Sequence, residues 1–198
     1  KKQRKRWSRS AALTMSMALL LSGGGGSGSD GEDAGESASG AKKEELHIAI
    51  SANPPSLDPQ SINSNIVGGI GAHVYEPLFA MNADFEPTPV LAESYEMSED
   101  GMVYTIKLRE GVKFHNGYDF TAEDVKFSFD RMANSPRIAF VLPPIEKVEV
   151  VDDYTVNIVT KTPFGPLLAH LSHPALGIVS KKLITEDEQS FKDHPVGT

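Results

Sequence analysis

The segment from Gly23 to Ala41 places the strongest constraint on what this chain can fold into. It reads GGGGSGSDGEDAGESASGA and contains only Gly, Ser, Ala, Asp and Glu. No side chain in it is large enough to form a core, so burial cannot offset the entropy lost on ordering. We therefore predict a flexible acidic Gly/Ser linker over residues 24–45, which leaves residues 46–198 as the globular domain.

A basic run followed by an apolar run precedes this linker. Residues 1–9 read KKQRKRWSR, and residues 11–21 read AALTMSMALLL. This order, followed by small residues, is typical of a secretory signal peptide. The apolar run has eleven residues, too few at the helical rise to span a bilayer core of about 30 Å. We predict a signal peptide over residues 1–23 and hence an exported protein.

The charge distribution and the lack of cysteine exclude several kinds of partner and of chemical site. Six of the 19 Lys and Arg residues lie in the first nine positions, whereas all 27 Asp and Glu residues follow Ser29. The rest of the chain therefore carries 13 minus 27, a net charge of −14. Such a surface repels nucleic acid and anionic lipid, so we expect neither as a partner. The chain has no Cys, which excludes disulfides, thiolate zinc sites and cysteine nucleophiles.

Two β-hairpins are predicted in the globular part. The turn sequence Ser98–Gly101 joins residues 95–97 to an alternating run at Val103–Leu108. Asp152 and Asp153 connect a second pair of strand-like runs. The alternation of Leu46–Ile50 predicts a further strand. With strands outnumbering helices, the class is mixed α+β in this part of the chain and α/β once more chain is added.

Three helices are predicted. Thr121 and Asp124 have the spacing of a capping box, and Val125, Phe129 and Met132 then form one apolar face. A second helix is predicted from about Val67 to Tyr75, ahead of Glu76-Pro77. A third is expected over residues 167–171, since Pro166 suits a first helical turn.

The residues suited to catalysis or metal binding have ordinary explanations. His170 and His173 have a spacing that could hold a metal on a helix, but no carboxylate lies nearby and Pro174 follows at once. Glu123 and Asp124 could act as paired carboxylates, yet capping and the helix dipole account for both. No Gly-x-Ser-x-Gly elbow occurs. We therefore assign no catalytic residue, metal or cofactor.

Several segments resemble one known family. Residues 75–79 (YEPLF), residues 91–101 (LAESYEMSEDG) and above all residues 104–130 (YTIKLREGVKFHNGYDFTAEDVKFSFD) are similar to the bacterial extracellular solute-binding proteins of family 5. These are the peptide-binding branch of the ABC-transporter binding proteins. Residues 195–198 (PVGT) look like the start of the family's PVGTGPY segment. The resemblance covers residues 46–198.

The resemblance implies an architecture. Family members have a two-lobed, type II periplasmic-binding-protein-like fold that closes on its ligand, and they are more than twice as long as this chain. We therefore expect the N-terminal part of such a protein, forming its first lobe. Residues 46–81 and 172–198 would make a first subdomain, and residues 82–171 a second.

The resemblance also implies a function without catalysis. The protein would capture oligopeptides or dipeptides and deliver them to the permease and ATPase subunits of an ABC importer. It would do so in the periplasm or on the outer face of the cytoplasmic membrane. Residues 61–66 lie where relatives present backbone to the ligand, and Asn63, Ser64 and Asn65 are the predicted ligand contacts. The alternative is that they form an ordinary polar surface loop. Some relatives bind nickel complexes, haem or glutathione instead. A sensor or pheromone receptor of the same fold, or a secreted hydrolase with its catalytic group elsewhere, are alternatives.

One position departs from the resemblance. Exported members from Gram-positive bacteria usually carry Leu-Ser-Gly-Cys at the end of the signal peptide, and here Leu21-Ser22-Gly23 is followed by Gly24. A lipid anchor needs the thiol at that position. We therefore expect that membrane association through a lipid would require Cys in place of Gly24.

Overall fold

A computed structural model of the chain describes residues 47–54, 56–62 and 64–198. The predicted signal peptide and linker lie outside the described residues, and so do Gly24 and Asn63. Residues 48–198 form one compact unit. Within the described part, no helix has both the length and the apolar character needed to cross a membrane.

The unit alternates short helices with antiparallel strands. The helices are α1 (Asn65–Gly71), α2 (Ala122–Ala133), α3 (Leu167–Leu171), α4 (Lys181–Glu186) and α5 (Glu188–Asp193). The strands are β1 (Phe79–Met81), β2 (Pro87–Pro89), β3 (Ala92–Met97), β4 (Val103–Leu108), β5 (Ile145–Asp152) and β6 (Thr155–Thr160). Two short 3₁₀ turns cover Ala139–Val141 and Pro174–Leu176. The mixed α+β class is thus confirmed.

A four-stranded antiparallel sheet with the order β3-β4-β6-β5 forms the centre of the unit. Its register places Ile106 of β4 opposite Tyr95 of β3 on one side and Val156 of β6 on the other. Both predicted hairpins are confirmed. The first turns at Gly101, whose φ of 69° favours a residue without a Cβ. In the second, the Asp152 carboxylate accepts the Tyr154 N–H at 2.9 Å.

The capped helix predicted at Thr121 is confirmed as α2. The Asp124 carboxylate accepts a hydrogen bond from the Thr121 N–H at 2.9 Å, and its placement three residues on is that of a capping box. Val125, Phe129 and Met132 are buried on the apolar face of α2, in one core with side chains of β4, β5 and β6. The helix and the sheet therefore build a single hydrophobic core.

Two local predictions were wrong. Residues 47–50 do not form a strand, and Ile48 and Ile50 are 65% and 46% exposed. An alternating sequence becomes a strand only when another strand accepts its hydrogen bonds, and in the described part of the chain none pairs with it. The first helix is Asn65–Gly71 rather than 67–75. Residues 72–74 continue as turns, and Tyr75 is buried against the ring of Phe191.

The last residues of the chain pack against the segment that follows α1. The Gly197 carbonyl accepts a hydrogen bond from the His115 N–H at 2.8 Å. A Cβ at Gly197 would lie 1.7 Å from the Val74 carbonyl oxygen, so only glycine fits this crossing. The third predicted helix is confirmed as α3, directly after Pro166.

Candidate functional site

A cavity of about 320 Å³ follows one side of α1. The first wall is α1 itself together with Pro59 and Ile62, which precede it in sequence. The second wall is His173–Ala175, at the start of the second 3₁₀ turn. We call this space the α1 cavity. Predicted ligand contacts line it together with residues from much later in the chain.

Two of the three predicted contact residues line the α1 cavity. Ser64 has an extended backbone (φ −147°, ψ 133°), and its carbonyl accepts the Gly68 N–H at 2.8 Å. Asn65 is the first residue of α1 and is exposed. Asn63 is among the residues that the structure does not describe. Ser64 and Asn65 are thus brought to one cavity, and their contact with a ligand stays a prediction.

Gly68 and Gly69 face the same cavity and have no packing reason to be glycine. A Cβ built on either residue would have no heavy atom within 4 Å beyond its own helical turn. Glycine inside a helix is less favourable than alanine by about 0.8–1.0 kcal/mol. What the two glycines provide is an uncovered stretch of backbone that another chain can approach closely.

A buried polar cluster lies behind the α1 cavity. Arg131 donates from Nη2 to Asp58 Oδ2 at 2.5 Å and from Nη1 to Asp58 Oδ1 at 3.0 Å. The Asp58 side chain is completely buried and that of Arg131 is 18% exposed. Burial alone would lower the pKa of Arg131, but the hydrogen bond and charge of Asp58 raise it above its ordinary value. These two hydrogen bonds hold the segment before α1 in place.

Tyr75 packs beside this cluster as a neutral side chain. Burial raises the pKa of its hydroxyl, and the nearby negative charge of Asp58 raises it further. The ring lies 6.1 Å from that of Phe191. Tyr75 therefore contributes packing behind the cavity rather than acid–base chemistry.

His170 and His173 have structural contacts of their own. His173 Nδ1 accepts the Ala175 N–H at 3.1 Å, and burial, followed by the nearby His170, lowers the pKa of His173. The His170 ring packs edge-on against Phe164 with centroids 5.2 Å apart. Among the residues that the structure describes, no three His, Cys, Asp or Glu side chains cluster as a metal site would require. The two histidines instead shape the second wall and its surroundings.

Glu123 and Asp124 are used to join α2 to α4. Asp124 is buried and accepts the Lys181 N–H at 2.8 Å in addition to the Thr121 N–H. Burial raises the pKa of Asp124, although these hydrogen bonds act in the opposite direction. Glu123 pairs with the Lys181 ammonium at 2.9 Å on the surface. Both carboxylates are thus occupied by contacts within the fold.

Sequence reasoning missed the second wall and the residue behind it. Nothing in the local sequence of His173–Ala175 indicates that it faces α1, about a hundred residues earlier in the chain. Gln60, which lies behind the cavity and is 1% exposed, was missed as well. The adjacent glycines of α1 were a usable signal, because glycine within a helix usually has a packing or functional reason.

Solved structures with this fold define the class of the protein. Listeria monocytogenes OppA bound to peptide aligns with a TM-score of 0.68 at 26% identity, covering 74% of this chain and 33% of OppA. The periplasmic binding protein DppA from Helicobacter pylori, in complex with the peptide STSA, aligns at 0.63 and 31% identity, with coverages of 74% and 34%. The chain has the fold of the matching part of these proteins, which are two-lobed periplasmic binding proteins of the peptide-binding family.

Sequence comparison places the chain in a family. A model of the family "Bacterial extracellular solute-binding proteins, family 5 Middle" matches residues 86–198, and the chain belongs to this family. It is 39% identical over 154 residues to the glutathione-binding protein GsiB of Pectobacterium atrosepticum, covering 76% of this chain and 30% of GsiB. The chain spans about a third of the length of the relatives it matches. The resemblance to the family 5 solute-binding proteins, seen in the sequence, is thereby confirmed.

Proposed function

We propose that this protein is the substrate-binding component of an ABC importer and that it captures peptides outside the cytoplasm. Membership of family 5, together with the likeness to two peptide-bound structures, carries this proposal. The partners that follow are a peptide ligand and the permease and ATPase subunits of the importer. The protein would bind its ligand and release it chemically unchanged.

The α1 cavity is the surface of this chain to which we assign the ligand. Ser64 and Asn65 bring polar groups to its rim, and Gly68 and Gly69 leave the α1 backbone uncovered. An extended peptide is held mainly through its backbone, which tolerates many side chains. Asn63 is included in the proposed contact set because it directly precedes Ser64.

Glutathione is the second candidate ligand. The relative with 39% identity is named for binding it. Glutathione is itself a tripeptide, so an open backbone surface beside polar side chains suits it as well as a short peptide. Glutathione differs from an ordinary short peptide in the γ-linked bond after its first residue and in its free thiol. A direct comparison of the two affinities separates the candidates.

We propose the location from the order of the first 45 residues together with the family, and the domain division from the resemblance to that family. The first 23 residues would direct export, and the acidic linker would give the domain reach from the envelope surface. Residues 46–81 and 172–198 would form one subdomain and residues 82–171 another. A lipid anchor would require Cys in place of Gly24.

Calorimetry on the full-length protein tests the proposed function. Titration with pools of dipeptides to pentapeptides, with glutathione and with a nickel–histidine complex should give binding for peptides or glutathione only. Mass spectrometry of the ligand before and after incubation should show an unchanged mass. Binding of the nickel complex alone would contradict the proposal, as would cleavage of the peptide.

A further inference from the structure

Gln60 connects the two walls of the α1 cavity. Its Nε2 donates to the Gly177 carbonyl at 3.0 Å, across 117 residues of sequence. Pro59 and Ile62, on either side of Gln60, line the first wall, and the second wall at His173–Ala175 ends two residues before Gly177. One buried side chain therefore spans the base between the two walls.

The ion pair behind the cavity fixes the orientation of this side chain. Arg131 Nη1 donates to Gln60 Oε1 at 3.1 Å, and the Gln60 backbone N–H donates to Asp58 Oδ1 at 2.9 Å. Since a guanidinium has only donors, it selects the oxygen of the carboxamide. The NH₂ group must then face Gly177, which has the acceptor.

The turn that carries the second wall is held closely on its other side. A Cβ at Gly177 would lie 2.7 Å from Cβ of Tyr75, so the turn sits directly against that residue. The Ile178 N–H donates to the Glu76 carbonyl at 2.9 Å. In addition to the packing of this turn on α1, the Gln60 hydrogen bond joins it to the segment that precedes α1.

We propose that Gln60 is a positioning residue that fixes the separation of the two walls of the α1 cavity and thereby its affinity for a peptide ligand. The affinity part of this inference rests on the proposed function. Gln60 does not line the cavity and acts through Gly177 on one side and through Pro59 and Ile62 on the other. The separation of the two walls does not depend on a ligand, so this part of the inference can be tested on the ligand-free protein.

The test uses Gln60→Met in the full-length protein, with Ser128→Ala as the matched control. Methionine keeps the length of the side chain and removes its donor and acceptor. Ser128 is also buried and bonds to the same segment, accepting the Val179 N–H at 3.0 Å, but it lies on α2, whereas Gln60 lies between Pro59 and Ile62 of the first wall. Gln60→Glu keeps an acceptor for Arg131 without a donor for Gly177, and it replaces Gln60→Met if that variant does not fold.

Two measurements decide the matter. Amide hydrogen exchange without ligand should accelerate about tenfold at Leu176 and Gly177 in Gln60→Met, and at Val179 in Ser128→Ala. The Kd for a bound peptide should rise about tenfold in Gln60→Met and stay within about twofold in Ser128→Ala, at similar losses of Tm. Equal Kd values for the two variants at equal Tm would overturn the role in affinity.

The exchange measurement also separates this inference from the proposed function. Unchanged exchange at Leu176 and Gly177 in the Gln60 variant would overturn the spacing role, whatever ligand the protein takes. A wild-type protein that binds neither peptide nor glutathione would refute the proposed function instead. Accelerated exchange in that case would still show that Gln60 holds the turn at Gly177 to the segment before α1.

Discussion

The two carboxylate oxygens of Asp58 each accept a hydrogen bond from Arg131, at 3.0 and 2.5 Å, although 73 residues separate the two in sequence. Asp58 lies in the segment before α1, and Arg131 lies in the last turn of α2. The position of α1 thus depends on a helix whose own apolar face is buried with the central sheet. The sheet is thereby mechanically connected to the surface proposed to hold the ligand.

Arg131→Met should lower the free energy of unfolding by about 3–5 kcal/mol, because it leaves the Asp58 charge buried and unpaired. Arg131→Lys should lower the free energy of unfolding by less than Arg131→Met does. It should still lower it, because an ammonium cannot reproduce the two-point contact. Chemical denaturation of the full-length protein measures this. Lys126→Met is the control on the same helix, because its pair with Asp130 is exposed and worth about 0.5 kcal/mol or less. Equal losses for the two methionine variants would show that the buried pair contributes little.

Gly68→Ala should make the protein more stable and a weaker binder. Alanine in place of this helical glycine gains up to about 1 kcal/mol, and the space around it is open. The new methyl group would cover the backbone that faces the α1 cavity, and we expect the Kd for a peptide to rise about tenfold. Denaturation and calorimetry on the same preparation give both numbers. Gly165→Ala, also in open space but outside the cavity, should leave the Kd unchanged.

Asp124→Asn should remove one component of the pH dependence of stability. Burial raises the pKa of Asp124 in the folded protein above its ordinary value of 3.8, so the folded state holds this proton more tightly than the unfolded chain does. The contribution of Asp124 to stability therefore falls as the pH rises from 3.8 through the folded pKa. The free energy of unfolding of wild type minus that of the variant should be largest at acid pH and smaller at neutral pH. A difference that grows with pH would mean that hydrogen bonding outweighs burial at this carboxylate.

Gly197→Ala should release the end of the described chain from the segment after α1. The added methyl group would overlap the Val74 carbonyl oxygen at 1.7 Å, so one of the two segments has to move. We expect a loss of about 1–3 kcal/mol and faster exchange of the His115 amide, which donates to Gly197. Gly165→Ala again serves as control and should change stability by about 0.5 kcal/mol or less. An unshifted His115 exchange rate would contradict the close crossing.

Gly24→Cys should convert a released protein into a membrane-bound one. We expect Leu21-Ser22-Gly23 before this position to supply the rest of a lipidation signal, in which position 24 would carry the thiol. Cell fractionation should find the variant with membranes after processing that globomycin blocks, and the wild type in the soluble fraction. Equal labelling of both forms with palmitate would rule out this role for position 24.

The sequence predicted best those elements whose signals are local. The turn at Ser98–Gly101 and the capping pair Thr121 and Asp124 each specify their structure within a few residues, and both predictions were confirmed. The strand predicted at residues 46–50 was wrong because a strand needs a neighbouring strand to accept its hydrogen bonds, and its own sequence does not identify that neighbour. The helix boundary at Tyr75 was wrong as well: α1 ends at Gly71, and Tyr75 is buried against Phe191, a contact over a hundred residues away that the local sequence does not indicate.

The candidate site could be predicted only in its first wall. Ser64 and Asn65 were placed by resemblance to the family, and the structure brings both to one cavity. The second wall and Gln60 could not be found in this way, because the hydrogen bond from Gln60 to Gly177 joins residues 117 positions apart. Contacts of this range are set by the packing of the whole unit, and no periodicity or turn signal reports them.

The connectivity of the central sheet bears on the order in which the chain folds. The β3-β4 and β5-β6 hairpins turn within a few residues, and such hairpins form in about 1–10 μs. The pairing of β4 with β6 must wait for the chain between them, which contains α2. Asp58 and Gln60 find their partners in α2 and in the turn at Gly177, both far away in sequence, so we expect pulsed hydrogen exchange during refolding to protect the hairpins first and Gly177 last. In a chain that crosses a membrane N-terminus first, the two walls of the α1 cavity could be joined only after residue 177 has crossed.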